Sequence, residues 1–278
     1  MHIVVCIKQV PDSSQIRVHP VTNTIMRQGV PAVVNPFDLI SLEEALRIRD
    51  QFGARVTVIS MGPKMAADAL RKCVSYGADD AILVTDRVFA GADTLATSYA
   101  IASAIRTIGA EDPVDMVFCG KQTIDGDTAQ VGPGIARRLG IEQLTYISKI
   151  ERVDPVAREI VVHRRAEGGV QVLQTQLPCL ITMMEGANTI RFAGLDDMFR
   201  AARIAVLEWD HKAAGIEDLS RCGLKGSPTV VKKVFAPSAR PVKAKTVDAT
   251  DMSPREAVDA LLDQLFSEHP MLDAEMSA

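Results

Sequence analysis

Cys119-Gly-Lys-Gln-Thr-Ile-Asp-Gly-Asp-Thr-Ala-Gln-Val-Gly-Pro-Gly134 follows an apolar run at residues 114–118 and leads into Ile135-Ala-Arg-Arg-Leu139, which reads as helix. A strand that breaks into a Gly/Thr-rich loop and re-enters a helix is how an open α/β sheet places a phosphate. Free N–H groups at the helix start point at the anion, and glycines let the backbone approach. Thr123 and Thr128 add hydroxyl donors. Asp125 and Asp127 repel a phosphate, which puts them on ribose hydroxyls or on helix capping. Pro133 has no N–H and suits the first turn of a helix. Regular helix is therefore expected from about Gly132, with residues 125–131 as an irregular turn. The residue types also admit a capped loop without ligand. A metal at Asp125-Gly-Asp127 is the weaker reading, because the spacing lacks the closing Glu of a calcium loop.

Outward from this loop the chain alternates. Residues 3–7 are a continuous apolar run, as in a strand buried on both faces. Residues 16–26 alternate around Pro20 and Asn23, a hairpin pattern. Asn35-Pro-Phe-Asp38 starts a helix over 39–52, with Ile40, Leu42, Ala45, Leu46 and Ile48 as its stripe and Gly53 closing it. The neighbouring acids Glu43 and Glu44 read as solvated surface, since adjacent helix positions point apart. Strands at 55–60, 81–85 and 114–119 then alternate with helices at 66–76 and 92–108. Such regular alternation means a mainly parallel sheet with helices on both faces. Ligands in these sheets sit beyond the carboxyl ends of the strands, where residues 8–11, 35–38, 60–63 and 120–130 converge.

The second half changes character. Strands at 144–152, 159–164, 170–174 and 177–183 read as an antiparallel addition to the same domain. After Glu185 regularity falls: residues 188–202 are expected to be irregular, and 204–209 to be a last short strand. A Pro- and Lys-rich extended arm over 227–245 leads to an amphipathic helix at 257–266 with Val258, Leu261, Leu262 and Leu265 apolar. That helix needs a surface to lie on, either its own domain or a partner chain. The expected division is a nucleotide-binding α/β domain at 1–235 and the C-terminal arm at 236–278.

Composition narrows the function. The chain has 278 residues, 47% apolar and 24% charged, which suits a globular fold with a proper core. Aromatics make up only 4% and the net charge is −4, so neither nucleic acid nor an anionic membrane is an expected partner. No apolar stretch approaches the ~20 residues of a bilayer span, and no signal-peptide pattern opens the chain. A cytoplasmic or matrix-like setting is expected. Cys6, Cys73, Cys119, Cys179 and Cys222 are scattered with no C-x-x-C, and read mostly as buried free thiols. His163 reads as a surface residue, and the histidines show no metal-ligand spacing. No G-x-G-x-x-G, Walker A, G-x-S-x-G or H-E-x-x-H occurs, which argues against ordinary dehydrogenases and P-loop enzymes.

Lys8-Gln-Val-Pro-Asp12, Asn35-Pro-Phe-Asp38 with Glu43-Glu44-Ala45-Leu46, Ser60-Met-Gly-Pro63, Gly77-Ala-Asp79 and Gly120-Lys-Gln-Thr-Ile-Asp-Gly-Asp-Thr-Ala-Gln130 occur in that order. Together they closely resemble the β subunit of electron-transfer flavoproteins, over residues 1 to about 235. The resemblance implies a three-layer α/β/α sandwich of adenine-nucleotide-binding type and a heterodimer with an α subunit carrying a redox FAD. It implies nucleotide contacts at Cys6, Asn35, Phe37, Asp38, Met61, Gly120, Gln122, Asp125, Gly126, Asp127, Thr128, Ala129, Gln130 and Val131. Housekeeping members hold AMP there. Electron-bifurcating members hold a second FAD that accepts hydride from NADH and divides the electrons between the α-subunit flavin and a low-potential ferredoxin or flavodoxin. The small Gly126 and the hydroxyl of Thr128 look like the bifurcating form, as does Cys222-Gly-Leu-Lys-Gly-Ser-Pro228. The resemblance also makes Leu195 the anchor for a flavin-containing dehydrogenase, such as an acyl-CoA dehydrogenase. Arg165 falls where the β subunit reaches the α-subunit flavin, and the arm is expected on the α subunit. No catalytic side chain and no metal are implied. An adenine-nucleotide sensor or ATP-using enzyme of the same fold is the alternative from another class.

Overall fold

The computed structural model describes residues 1–12, 17–18, 25–26, 31–230 and 245–269. In chain order its strands are β1 (His2–Cys6), β2 (Gln9–Pro11), β3 (Arg17–Val18), β4 (Ile25–Met26), β5 (Ala32–Val34), β6 (Arg55–Met61), β7 (Asp80–Val84), β8 (Met116–Gly120), β9 (Glu142–Asp154), β10 (Glu159–Ala166), β11 (Gly169–Gln176), β12 (Cys179–Met183) and β13 (Leu207–Trp209). Its helices are α1 (Pro36–Phe52), α2 (Ala67–Tyr76), α3 (Thr94–Glu111), α4 (Val131–Leu139), α5 (Leu195–Arg203) and α6 (Pro254–Glu268).

A 9-stranded sheet runs in the order β11-β10-β9-β12-β8-β1-β6-β7-β13. From β9 across to β13 every neighbouring pair is parallel. The antiparallel part is the β10–β11 edge. Residues 177–183 thus depart from the antiparallel expectation, because β12 lies parallel between β8 and β9 and is buried along its whole length. An unbroken apolar strand needs cover on both faces, which only the middle of the sheet provides. The more polar β11, largely exposed, takes the edge.

One face of the sheet sets Val5, Val58 and Phe118 against Leu42 and Leu46 of α1, Leu70 and Val74 of α2 and Ala201 of α5. The other sets Val4, Ile59 and Val117 against Ile101 and Ile105 of α3 and Ile135 of α4. This is the three-layer sandwich that the alternation predicts. All five cysteines are free and buried within it. The 16–26 hairpin is seen as the pair β3–β4, with Arg17 opposite Met26; its turn lies outside the described residues.

Two local expectations are overturned. Residues 188–202 are not irregular throughout, since α5 occupies 195–203, with Asp196 and Asp197 in its first turn and Arg200 and Arg203 in its last. That charge order suits the helix dipole. Arg200 also donates to the carbonyls of Val74 and Ala78, tying α5 to the end of α2. Glu43 is not solvated surface but 4% exposed. It accepts from the Arg191 N–H and Nε at 3.1 and 2.8 Å and from Arg47 Nε at 3.0 Å. Burial opposes its ionisation, yet the Arg191 and Arg47 donors outweigh that and hold the carboxyl below its usual range.

The chain divides into two units, Met1–Phe235 and Ala236–Ala278. In the second, Ser253 and Glu256 form a capping box at the start of α6. No residue of α6 is buried, and Val258, Leu261 and Leu265 are exposed. Residues 231–244 of the expected arm lie outside the described residues.

Candidate functional site

The sheet order reverses at its centre. After β1 the chain proceeds through α1 to β6, whereas β8, on the other side of β1, continues through α4 on the opposite face. The two connections diverge and leave a crevice at the carboxyl ends of β1 and β8, the place where open α/β sheets bind ligands.

Buried polar side chains of the α1 start hold this crevice together. Asn35 is 0% exposed. Its Nδ2 donates to Gln122 O at 2.9 Å, and its Oδ1 accepts from Ile124 N at 3.2 Å. It stands at the N-cap position of α1 without capping it, because its amide is engaged by the loop. Asp38 accepts from Lys8 N at 2.7 Å and from Gly120 N at 3.1 Å, so one carboxyl ties the ends of β1 and β8. Burial pushes that carboxyl up to about 7, against the hydrogen bonds from Asn35, Lys8 and Gly120 and the attraction of the Lys8 ammonium. Gly120 has no room for a side chain: a Cβ there collides with Asp38 Oδ1 and meets Phe37 Cβ at 2.7 Å.

Past Gly120 the loop adopts an unusual backbone. Asp127 and Ala129 have φ of 51° and 54°, the left-handed region that residues with a Cβ rarely enter. Gln130, at φ −99° and ψ −24°, is right-handed and sits at the N-cap of α4. A left-handed residue followed by a right-handed one turns successive N–H groups into one concavity, an anion-binding nest, here continuous with a helix N-terminus. The strain is held by side chains: Gln122 Nε2 donates to Asp127 Oδ1 at 2.8 Å, and Thr94 of α3 donates to Gln130 Oε1 at 2.8 Å. Lys8 Nζ donates to both oxygens of Asp125, at 2.8 and 2.7 Å. Thr94 carries no local motif for this role and becomes visible only once the strands are ordered; Lys8 opens a motif at the expected sheet edge, but its pairing with Asp125 does not show in the sequence.

The remaining expected positions spread around this centre. Cys6 ends β1 and is buried; Met61 ends β6 and Val131 begins α4. Phe37 lies half-buried beneath Lys121, whose Nζ is 5.1 Å from the ring centroid. Gly126 is exposed at the loop tip. Thr128 and Ala129 line a depression shared with Lys121, Tyr146, Arg164 and Thr182. Tyr146 has φ 59° where β9 bulges against β12. Arg165 is exposed and borders a neighbouring depression with Arg164 and Tyr146. Arg164 is thus the arginine that reaches the loop side, a distinction that an Arg-Arg pair in sequence does not carry. Met61 opens onto a cleft of about 900 Å³, walled by Gly62 to Lys64, residues 85–87 and 89–92, and Glu208. The Cys222–Pro228 motif packs beside it, with Leu224 N donating to Ala90 O at 2.9 Å and Ser227 Oγ accepting from Asp93 N at 2.8 Å.

Leu195 is 68% exposed. It begins α5 rather than lying in an irregular stretch, beside Phe192, Met198 and Phe199, all exposed. Among the described residues no group of His, Cys, Asp and Glu is arranged to hold a metal ion. None of the described helices is long and apolar enough to cross a membrane.

An α/β sandwich with a nucleotide-type crevice at its switch point is one class; comparison with known proteins narrows it. The profile of the electron transfer flavoprotein domain matches residues 22–213. The chain is 63% identical over 277 residues to the FixA protein of Azotobacter vinelandii, covering 100% of this chain and 99% of that one. It is 62% identical over 279 residues to FixA of Azorhizobium caulinodans, covering 100% and 98% of the two chains. To the electron transfer flavoprotein subunit beta of Clostridium acetobutylicum it is 44% identical over 269 residues, covering 97% and 99%. The chain belongs to the electron transfer flavoprotein family, on its β-subunit side.

Proposed function

We propose that the chain is the β subunit of a heterodimeric, electron-bifurcating flavoprotein and that its own crevice holds FAD. The concavity at Ala129–Val131 suits a pyrophosphate, with Gly126 leaving the loop tip open and Thr128 offering a hydroxyl. Cys6, Asn35, Phe37, Asp38, Gly120 and Gln122 shape the floor. Asn35 and Asp38 do so by fixing backbone rather than by presenting free polar atoms. The observation that carries FAD over AMP is the cleft of about 900 Å³ bordered by Met61, room that a mononucleotide does not need.

The chemistry such a flavin supplies is hydride uptake from NADH and delivery of single electrons, one towards the α-subunit FAD and one to a low-potential ferredoxin or flavodoxin. The protein's part is to bind, orient and tune, and no side-chain nucleophile is needed. Arg165, with Arg164 and Tyr146, forms a cationic rim suited to the α-subunit flavin. Leu195 with Phe192, Met198 and Phe199 is an apolar patch suited to anchoring a flavin dehydrogenase such as an acyl-CoA dehydrogenase. The exposed stripe of α6 suits the surface of the α subunit. A cytoplasmic setting follows from the soluble donors and acceptors.

Nucleotide extraction from the purified αβ complex tests this. Two FAD per heterodimer, both reduced by NADH without oxygen, is the expected result. One FAD with one AMP overturns it in favour of a non-bifurcating carrier with a structural nucleotide.

A further inference from the structure

We propose that Lys8 is the cation of the nucleotide site, neutralising Asp125 and presenting its remaining N–H to the bound phosphate. The proposal rests on the nucleotide reading above but not on the choice between FAD and AMP, since both carry a phosphate.

A phosphate entering the loop meets two carboxylates, Asp125 and Asp127. The second is met by a neutral amide, Gln122 Nε2 at 2.8 Å. The first is met by a full charge, with Lys8 Nζ at 2.8 and 2.7 Å from its two oxygens. An ammonium has three donors, so this pairing leaves one N–H over. The Lys8 side chain is 46% exposed, so solvent reaches it beside the loop. Its reach is set from below: the Lys8 N–H is anchored on the buried Asp38 carboxylate at 2.7 Å, which fixes where the side chain leaves β1. The other lysines along this sheet edge are bound to acids outside the loop. Lys121 Nζ holds Glu185 at 3.2 and 3.1 Å, and Lys64 holds Glu208 at 3.1 Å. Lys8 alone among these three has its counter-ion on the phosphate loop. Removing it leaves the Asp125 charge, then held only by neutral donors such as the Thr123 side chain, without a counter-ion against an incoming anion, a repulsion as well as a lost donor.

The test uses the full αβ complex with the β-site nucleotide removed, titrated with AMP, FAD and adenosine. Lys8→Met should weaken AMP and FAD by about 10- to 100-fold and leave adenosine, which has no phosphate, unchanged. Asp125→Asn in the Lys8→Met background should recover much of the loss, and Lys8→Arg should bind nearly as the wild type does. Equal AMP affinity in wild type and Lys8→Met overturns the proposal, as does a parallel loss of adenosine, which marks a merely structural role. Wild-type complex that binds neither AMP nor FAD overturns the functional reading instead.

Discussion

At the scale of single residues, the crevice is made by groups whose neighbours leave them no alternative. Gly120 is one. Backbone of Phe37 and the Asp38 carboxylate fill the space where its side chain would stand, and neither can withdraw without opening the β1–β8 junction. Gly120→Ala should therefore cost about 2–3 kcal/mol, read from the urea midpoint, and should lower nucleotide content as well. Asp38 is the other. Its carboxyl ionises near 3.8 in the unfolded chain and about 7 in the folded one, so between those pH values the folded state holds the extra proton. The stability this group contributes is greatest below pH 4 and is lost as pH rises through 7. Melting curves across that range should show the wild type declining relative to Asp38→Asn; parallel profiles would refute the assignment. The Asn-Pro-Phe-Asp motif is plain in the sequence. That Asn35 and Asp38 clamp backbone, and so act on a ligand through the loop they hold, depends on distances no spacing rule carries.

At the scale of elements, periodicity located nearly every strand and helix of the first half, because an amphipathic pattern records which face is covered. It failed where a charge took the place of an apolar contact. Glu43 is a buried clamp between α1 and the 188–191 segment, and its partner Arg191 lies far away in sequence. Glu43→Ala should cost about 2–3 kcal/mol, reduced from the fully buried case because the Arg191 side chain is 26% exposed. Limited proteolysis near residue 190 should speed up in the same variant. Helix α5 is short, and its interspersed charges with the preceding Gly194 disguised it as loop; its tie to α2 through Arg200 stabilises it. Its exposed first residue makes a separable prediction. Leu195→Ala should leave stability within about 0.5 kcal/mol and slow electron transfer to the flavin dehydrogenase proposed above by about tenfold, followed by stopped-flow absorbance.

At the scale of the whole molecule, placing β12 parallel inside the sheet and β10–β11 antiparallel at its edge decides which surface is open. A strand with unbroken apolar character belongs in the middle, and the sheet order then puts a reversal of strand order between β1 and β8. The second unit adds no buried residue in α6. A chain ending at residue 235 should then melt within about 3 °C of the full chain, while losing affinity for the α subunit in size-exclusion or calorimetric titrations. Retained affinity would remove the arm from the interface.

The sequence by itself determined the layered α/β architecture, the position of the loop after β8 and the family, because hydrophobic periodicity and short motifs are local records of burial and backbone shape. Tertiary structure alone decided which atoms of the converging segments pair with that loop. Lys8 and Asp125 are 117 residues apart, and Asn35 lies 89 from Ile124. Their meeting depends on strand order, which is fixed by the packing of whole faces rather than by any one stretch of chain.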